Sequence, residues 1–268
     1  MKTFLIQIEE DGTPSYDFCY GLMISKRYYE WSITGHGEFK YEYSTYGEKK
    51  VENPDDYIPV GSIEFVTKFV LANYGAEAVK QLKPFYPDCW LKNDRYLGGL
   101  EIGNPYHIAT EMNASSNPNS LHVKSIERLK DENNGNYPYT YFRERYRIYD
   151  NDKWYVSKCI YPLSEWRVFV HDNFFMDMKC YKGDTWITPA KAAVMNMIED
   201  YKDAYHYDRN MTGSYTLDVG VSPIDYSTKI IEFHEFYSCG LYGFDMYDRL
   251  PYMFSKQWAH VLRRIKGC

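Results

Sequence analysis

The stretch LDVGVSPIDYSTKIIEFHE, residues 217–235, decides how this chain folds. Two short apolar runs flank the turn signal SPIDYS, so the pattern predicts a β-hairpin that turns near Asp225. In an unbulged hairpin the numbers of paired residues sum to a constant. Asp218 and Glu232 then become direct cross-strand neighbours. Alternation puts Leu217, Val219, Val221, Ile231 and Phe233 on one face. Thr216, Asp218, Gly220, Glu232 and His234 share the other, and Glu235 points away from them.

Two carboxylates about 5 Å apart repel by roughly 3 kcal/mol at an effective dielectric of about 20. Like charges opposite one another weaken a sheet. A hard divalent cation between them removes that cost, and magnesium favours one or two carboxylates together with phosphate oxygens and water. Gly220 on the same face leaves room for a bulky ligand to approach the backbone. The competing reading is a solvent-facing strand with two ordinary acids.

The remainder of the chain sets bounds on both readings. Its 268 residues can bury a sizeable core, and 44% hydrophobic with 25% charged residues are the proportions of a globular protein. The 29 tyrosines can serve core, stacking surface or interface, so their excess selects no function. A formal net charge of −6 argues against a dedicated nucleic-acid binder. No apolar run is long enough for a membrane span. MKTFLIQIEEDG reads as a first strand, because acids follow the apolar run at once and no small-residue cleavage site appears. The six cysteines, Cys19, Cys89, Cys159, Cys180, Cys239 and Cys268, show no metal-type spacing. They read as reduced thiols in a cytoplasm.

Along the chain, TFLIQIEE, YYEWSIT and FKYEYSTYG read as strands. PVGSIEFVTKFVLANYG reads as a helix capped by Ser62 and ended by Gly75. AEAVKQLKPFYPDCW looks like a connection, and NPYHIATEMNASSNPNS like a loop or boundary. LHVKS, YTYFRERYRIY and KWYVSKCIY read as strands, and EWRVFVHDNFFMDMKCYKG as a hairpin turning at HDN. TPAKAAVMNMIEDYKDAY is a helix with Thr188 at its cap and Pro189 at its first position. A helical tail, SKQWAHVLRRIKGC, closes the chain. Strands and helices mix without regular alternation, which predicts an α+β fold.

At this point the sequence resembles a known family. YTLDVGV followed by KIIEFHEFYSCGLYGFD is similar to the metal-binding hairpin of ATP-grasp enzymes, in particular the clade common in bacteriophages and some bacteria. IPVGSIEFV, HVKSIERLK and SEWRVFVHDNFFMDMKCYKGD support the resemblance in the right order, and it spans nearly the whole chain. The resemblance implies an ATP-grasp fold, two α+β lobes sandwiching ATP, preceded by a smaller α/β leading domain. The corresponding limits are residues 1–100 for the leading domain and 101–268 for the ATP-grasp domain, with lobes at about 105–160 and 161–268.

The resemblance also implies roles. Lys124 matches a strand lysine that reaches the ATP phosphates. Lys130 matches a second lysine before a glycine-bearing loop, DENNGN, that closes over the triphosphate. VSKCIYP matches the hinge that reads adenine through its backbone, which brings in Lys158 and Ile160. Arg167 falls near the transferring phosphate or the acyl phosphate, where its planar, permanently charged fork suits. Lys179 and Tyr181 lie on the return strand as active-face neighbours, and Glu165 orients Arg167 or touches ribose. Asp218 and Glu232 become magnesium ligands. His234 stands where the superfamily often has Asn; magnesium prefers oxygen, so a phosphate contact is the expected role of His234. Against each of these stands the bland alternative of a solvated surface charge.

The function implied is an ATP- and magnesium-dependent carboxylate–amine ligase acting through an acyl phosphate on small-molecule or peptide substrates in a cytoplasm. The alternative is a catalytically quiet nucleotide-binding module in a phage–host or protein-interaction role. A third possibility is single-stranded nucleic-acid binding through YPYTYFRERYRIY, where aromatics and arginines interleave. The acidic net charge and an amphipathic-strand reading of that segment weigh against it.

Overall fold

The computed structural model describes residues 1–31, 39–112, 120–208 and 211–267. It opens with β1 (Lys2–Gln7), α1 (Asp17–Trp31), β2 (Phe39–Ser44), β3 (Tyr57–Val60) and α2 (Ile63–Tyr74). The three strands form a parallel sheet in the order β2-β1-β3. Parallel neighbours need crossover connections, which is why helices intervene. Phe4, Leu5 and Ile6 of the central strand are all fully buried, as expected of a parallel strand covered on both faces. Ser62 caps α2 by accepting from the Phe65 amide at 3.0 Å, and Gly75 ends the helix at φ +88°, both as the sequence predicts.

Two short helices follow, α3 (Ala76–Val79) and α4 (Asp88–Lys92). The next unit contains β4 (Leu100–Gly103), α5 (Pro105–Met112), β5 (Ser120–Ser125), β6 (Gly135–Pro138), α6 (Tyr139–Glu144), α7 (Tyr146–Tyr149) and β7 (Trp154–Lys158). Its antiparallel sheet runs β4-β7-β5-β6 over a small core of Leu121, Val123, Phe142, Tyr149 and Val156. The final unit contains β8 (Ser164–His171), β9 (Phe174–Gly183), α8 (Lys191–Tyr205), β10 (Tyr215–Val221), β11 (Thr228–Glu235) and α9 (Leu250–Lys266). Its antiparallel sheet is ordered β11-β10-β8-β9. The HDN turn between β8 and β9 holds Asp172 and Asn173 at φ +52° and +61°, the paired left-handed geometry of a tight hairpin.

Several expectations are corrected. YTYFRERYRIY forms α6 and α7 instead of a strand. Its arginines alternate, but the buried residues are Tyr139, Phe142 and Tyr149, and Tyr139 and Phe142 lie one helical turn apart. Residues 28–31 of YYEWSIT end α1, and 32–34 lie outside the described residues. Part of the loop expected after residue 104 is helical, with the Asn104 side chain accepting from the His107 amide at 3.1 Å. Helix α8 begins at Lys191, with Ala190 instead of Thr188 at its cap.

Two packing features hold the units in place. Although it precedes residue 100, the segment around α4 packs with the last unit. Trp90 is fully buried among Tyr201, Tyr215 and Phe233, and its indole N–H donates to the Met197 carbonyl at 2.8 Å. The same segment also bonds to β11 through its backbone, the Leu97 amide donating to the Ile230 carbonyl at 2.7 Å and the Ile230 amide to the Arg95 carbonyl at 2.8 Å. Conversely α9 inserts Met253, Phe254, Trp258 and Val261 into the core of the leading sheet, where Phe169 of β8 and Phe236 also lie. Trp90→Ala is expected to destabilise the protein by about 3–5 kcal/mol. Trp90→Phe should cost less, since a six-membered aromatic ring remains and only the pyrrole part of the indole and its hydrogen bond are lost, and urea midpoints measure both.

Candidate active site

The opening hairpin forms as the arithmetic predicts up to the acids: Thr216 pairs with His234 and Asp218 with Glu232. A bulge then intervenes, so Val219 pairs with Ile230 and not Ile231. As a result Ile230 is fully buried in the core, whereas Ile231 turns to the cleft face beside Gly220. Bulges re-aim a side chain in this way, and sequence alternation cannot anticipate one. Gly220 also serves differently from expectation. A Cβ there would meet Pro162 Cβ at 2.8 Å and Ile231 Cδ1 at 3.0 Å, so the space is taken by the chain between the sheets.

Strand order converts these positions into a row. Glu232 of β11 lies opposite Asp218 of β10, which lies opposite Arg167 of β8, which lies opposite Lys179 of β9. Arg167 binds Asp218 through both arms of its fork, Nε to Oδ1 at 2.8 Å and Nη2 to Oδ2 at 2.9 Å. Both residues are about 95% buried. Lys124, from β5 of the opposing sheet, makes an ion pair with Glu232 and lies 5.7 Å over the Tyr86 ring. His234 Nε2 sits between the acids, 3.4 Å from Asp218 Oδ2 and 3.1 Å from Glu232 Oε2. Ligand atoms of Asp218, Glu232 and His234 all lie within 4.8 Å of one another.

The electrostatics follow from burial and pairing. Burial raises the Asp218 carboxyl, but hydrogen bonds from Arg167 and His234 outweigh it and hold the group well below the usual carboxylate range. For His234 burial dominates over the pull of Asp218 and lowers its pKa, so the imidazole is neutral near pH 7 and has one N–H to donate. Burial likewise lowers Lys124, while the charge of Asp218 opposes that effect. Two carboxylates, one guanidinium and one ammonium therefore balance in formal charge.

Toward residues 157–162 the row opens into a cleft of about 230 Å³ between the two four-stranded sheets. Lys158, Ile160, Glu165 and Glu232 all line it, as do His122 and Lys182. Glu165 accepts from the Tyr181 hydroxyl at 3.0 Å and from Lys182 at 2.5 Å, and makes no hydrogen bond to Arg167. Two predicted residues are engaged elsewhere. Lys179 pairs with Asp177 at 2.8 Å, which raises its pKa, and Lys130 pairs with Glu64 of α2 at 2.6 Å on the surface. Glu235 points away as expected and is bound by Arg264 of α9 at 2.6 Å. Sequence reasoning passed over His122, although it lies two residues before Lys124 on the same strand face. Tyr242, whose ring lies 4.9 Å from the Arg167 guanidinium, falls within the quoted motif KIIEFHEFYSCGLYGFD, but the sequence assigns it no role.

A leading parallel sheet followed by two α+β lobes that face each other across a charged cleft is the architecture of the ATP-grasp class. The chain belongs to this superfamily: residues 107–250 match the family described as ATP-grasp domain, R2K clade family 2. No curated protein matches the sequence significantly. Among solved structures, D-cycloserine synthetase DcsG superposes with a TM-score of 0.56 at 9% identity, over 98% of this chain and 99% of that one. N5-carboxyaminoimidazole synthetase from Staphylococcus aureus gives 0.58 at 9% identity, over 96% and 77%. The ATP-grasp ligase PsnB complexed with minimal precursor gives 0.53 at 9%, over 97% and 99%. At such identities the likeness is one of fold.

Arg167→Leu should cost roughly 3–5 kcal/mol, because it strands a buried carboxylate. Lys179→Ala should cost less than about 1 kcal/mol, since its pair is partly exposed. Because folding lowers the Asp218 pKa, its stabilising effect is present above the unfolded value of about 4 and is lost as pH falls below it. Urea titrations at pH 7 and at pH 3 should show that acid-labile component in wild type and a smaller one in Arg167→Leu.

Proposed function

We propose that this chain is an ATP- and magnesium-dependent ligase. It activates a carboxylate as the acyl phosphate and joins it to an amine, releasing ADP and phosphate. The observation that carries this reading is the convergence of Lys124, Glu232, Asp218 and Arg167, from both lobes, at the end of a cleft lined by the hinge segment. Phosphoryl transfer asks a protein mainly to position groups and neutralise charge, and this row is built from such groups.

The donor set fits magnesium. Asp218 and Glu232 supply hard oxygens, the neutral His234 beside them supplies a phosphate contact, and the acids already sit within one coordination span. When bound, the metal supplies charge neutralisation for the phosphates. Asp218 and Glu232 would hold it, and Lys124 would serve the same phosphates. Arg167 keeps Asp218 ionised and oriented. Of its five N–H bonds two go to Asp218 and one to the Gly240 carbonyl at 3.0 Å, so two remain for an oxygen of the transferring group. Lys179 adds positive charge at the end of the row. Lys158 and Ile160 present backbone to the base, while Glu165, beside Lys182, serves the ribose end. Lys130 reaches the triphosphate by exchanging its Glu64 partner.

The solved relatives support the nucleotide and the breadth of substrates. The Staphylococcus aureus synthetase is described in complex with ADP, and PsnB with magnesium, ADP and a phosphomimetic variant of its minimal precursor, and also with a precursor peptide. We accordingly assign small-molecule or peptide carboxylates and amines as substrates. Among the described residues no helix is long and apolar enough to cross a membrane, and the described cysteines are free, which fits a reducing cytoplasm. The deep engagement of Arg167 and the outward pairing of Lys130 favour one second reading, a nucleotide-binding module without turnover.

ATP with magnesium should raise the melting temperature of wild type. Asp218→Asn and Glu232→Gln should both abolish that increment. Glu232→Gln should leave the ligand-free protein near wild-type stability, whereas Asp218→Asn should also lower it, because the buried Arg167 guanidinium loses its carboxylate. If both respond like wild type, the metal assignment is wrong. Mass spectrometry of reactions with carboxylate and amine pools then separates the readings: ADP and a condensed product support the ligase, and binding without ADP supports the quiet module.

A further inference from the structure

Arg167 is also held by the loop that follows β11, a contact outside the charged row. Its Nη1 donates to the Gly240 carbonyl at 3.0 Å, and the Tyr242 ring lies 4.9 Å from the guanidinium. Tyr242 is in addition stacked on Tyr181, with ring centroids 4.9 Å apart and planes at 23°. Its backbone is left-handed at φ +50°, a conformation that a bulky residue adopts only when its surroundings impose it. The imposing group is Asp17, the first residue of α1 in the leading sheet's layer. One carboxylate oxygen, Oδ2, accepts from both the Leu241 amide at 2.7 Å and the Tyr242 amide at 3.1 Å. A Cβ at Gly240 would come within 3.2 Å of the Tyr242 ring, so any larger residue there would push the ring by a few tenths of an ångström.

We infer that Tyr242, gripped through its backbone by Asp17, is a positioning residue that fixes the plane of the Arg167 guanidinium. Bidentate pairing with Asp218 sets one edge of the fork, and the stacked ring sets its face. The two uncommitted N–H bonds are thereby aimed once and for all. Asp17 makes that aim depend on the leading domain, so the residue placed at the transferring phosphate is registered against the part of the chain that lies outside the two ATP-grasp lobes. The catalytic consequence rests on the ligase reading above; the positioning itself does not.

The test compares Tyr242→Leu and Asp17→Ala with the conservative Tyr242→Phe and Asp17→Asn. Phe keeps the ring face, and Asn keeps one oxygen able to accept both amides. Exchange of the Arg167 Nε proton, followed by nitrogen-15 NMR on the whole chain, reads positioning without any turnover. It should accelerate by roughly tenfold or more in Tyr242→Leu and Asp17→Ala and stay near wild type in the two conservative variants. ADP formation from magnesium-ATP with the substrate pools should fall by about 10²-fold in Tyr242→Leu, with the dissociation constant for magnesium-ATP nearly unchanged. Recovery with Phe supports a stacking role. Unchanged Arg167 exchange in both disruptive variants overturns the inference, as does a Phe variant as impaired as Leu. If exchange responds as expected but wild type forms no ADP, positioning stands and the ligase reading fails.

Discussion

The buried ion pair between Arg167 and Asp218 constrains everything built around it, because neither charge can sit in this sheet without the other. A carboxylate and a guanidinium removed from water each carry a desolvation cost of several kcal/mol, recovered only by close, well-directed contact. The antiparallel register of β8 and β10 supplies that contact by setting the two residues opposite each other. The remaining Arg167 hydrogen bond goes to Gly240, so the loop after β11 has to run where its carbonyl can accept. With Asp218 neutralised on one side, Glu232 is left as the acid that needs a cation, and Lys124 crosses from the opposing lobe to provide it.

That crossing gives the cleft its chemistry. Lys124 belongs to the sheet of β4 to β7, whereas Glu232, Asp218 and Arg167 belong to the other four-stranded sheet. Either lobe by itself would expose an unbalanced charge. Together they make a cluster that is neutral in formal charge. The leading domain enters from a third direction, through α9 in its core and Asp17 on the 240–242 loop.

The acids of the hairpin were legible because paired positions in a hairpin obey simple arithmetic, and the pairing of Asp218 with Glu232 follows it. Helix α2 was legible because Ser62 and Gly75 mark its ends chemically. The bulge after Asp218 was not, since an extra residue leaves no mark in an apolar run such as Ile230–Ile231. Helices α6 and α7 were missed because alternating arginines imitate a strand, while the decisive pattern is the burial of Tyr139, Phe142 and Tyr149. For the candidate site, Asp218, Glu232 and His234 could be named from the hairpin's alternation, and Lys124, Glu165 and Arg167 only through the family resemblance. The present partners of Lys130 and Lys179 could not, because Glu64 is distant in sequence and Asp177 competes for the ammonium locally.

By itself the sequence determined the α+β class, the hairpin and its opposed acids, and the order of the charged motifs along the chain. Those features depend on local periodicity, turn chemistry and residue type, which are written in consecutive positions. Only the tertiary structure decided which charges neutralise which, that Pro162 and Ile231 occupy the space beside Gly220, and that Asp17 and Tyr242 hold Arg167. Those relations join residues tens to hundreds of positions apart. Their energies come from burial and close contact, which exist only once the sheets have met.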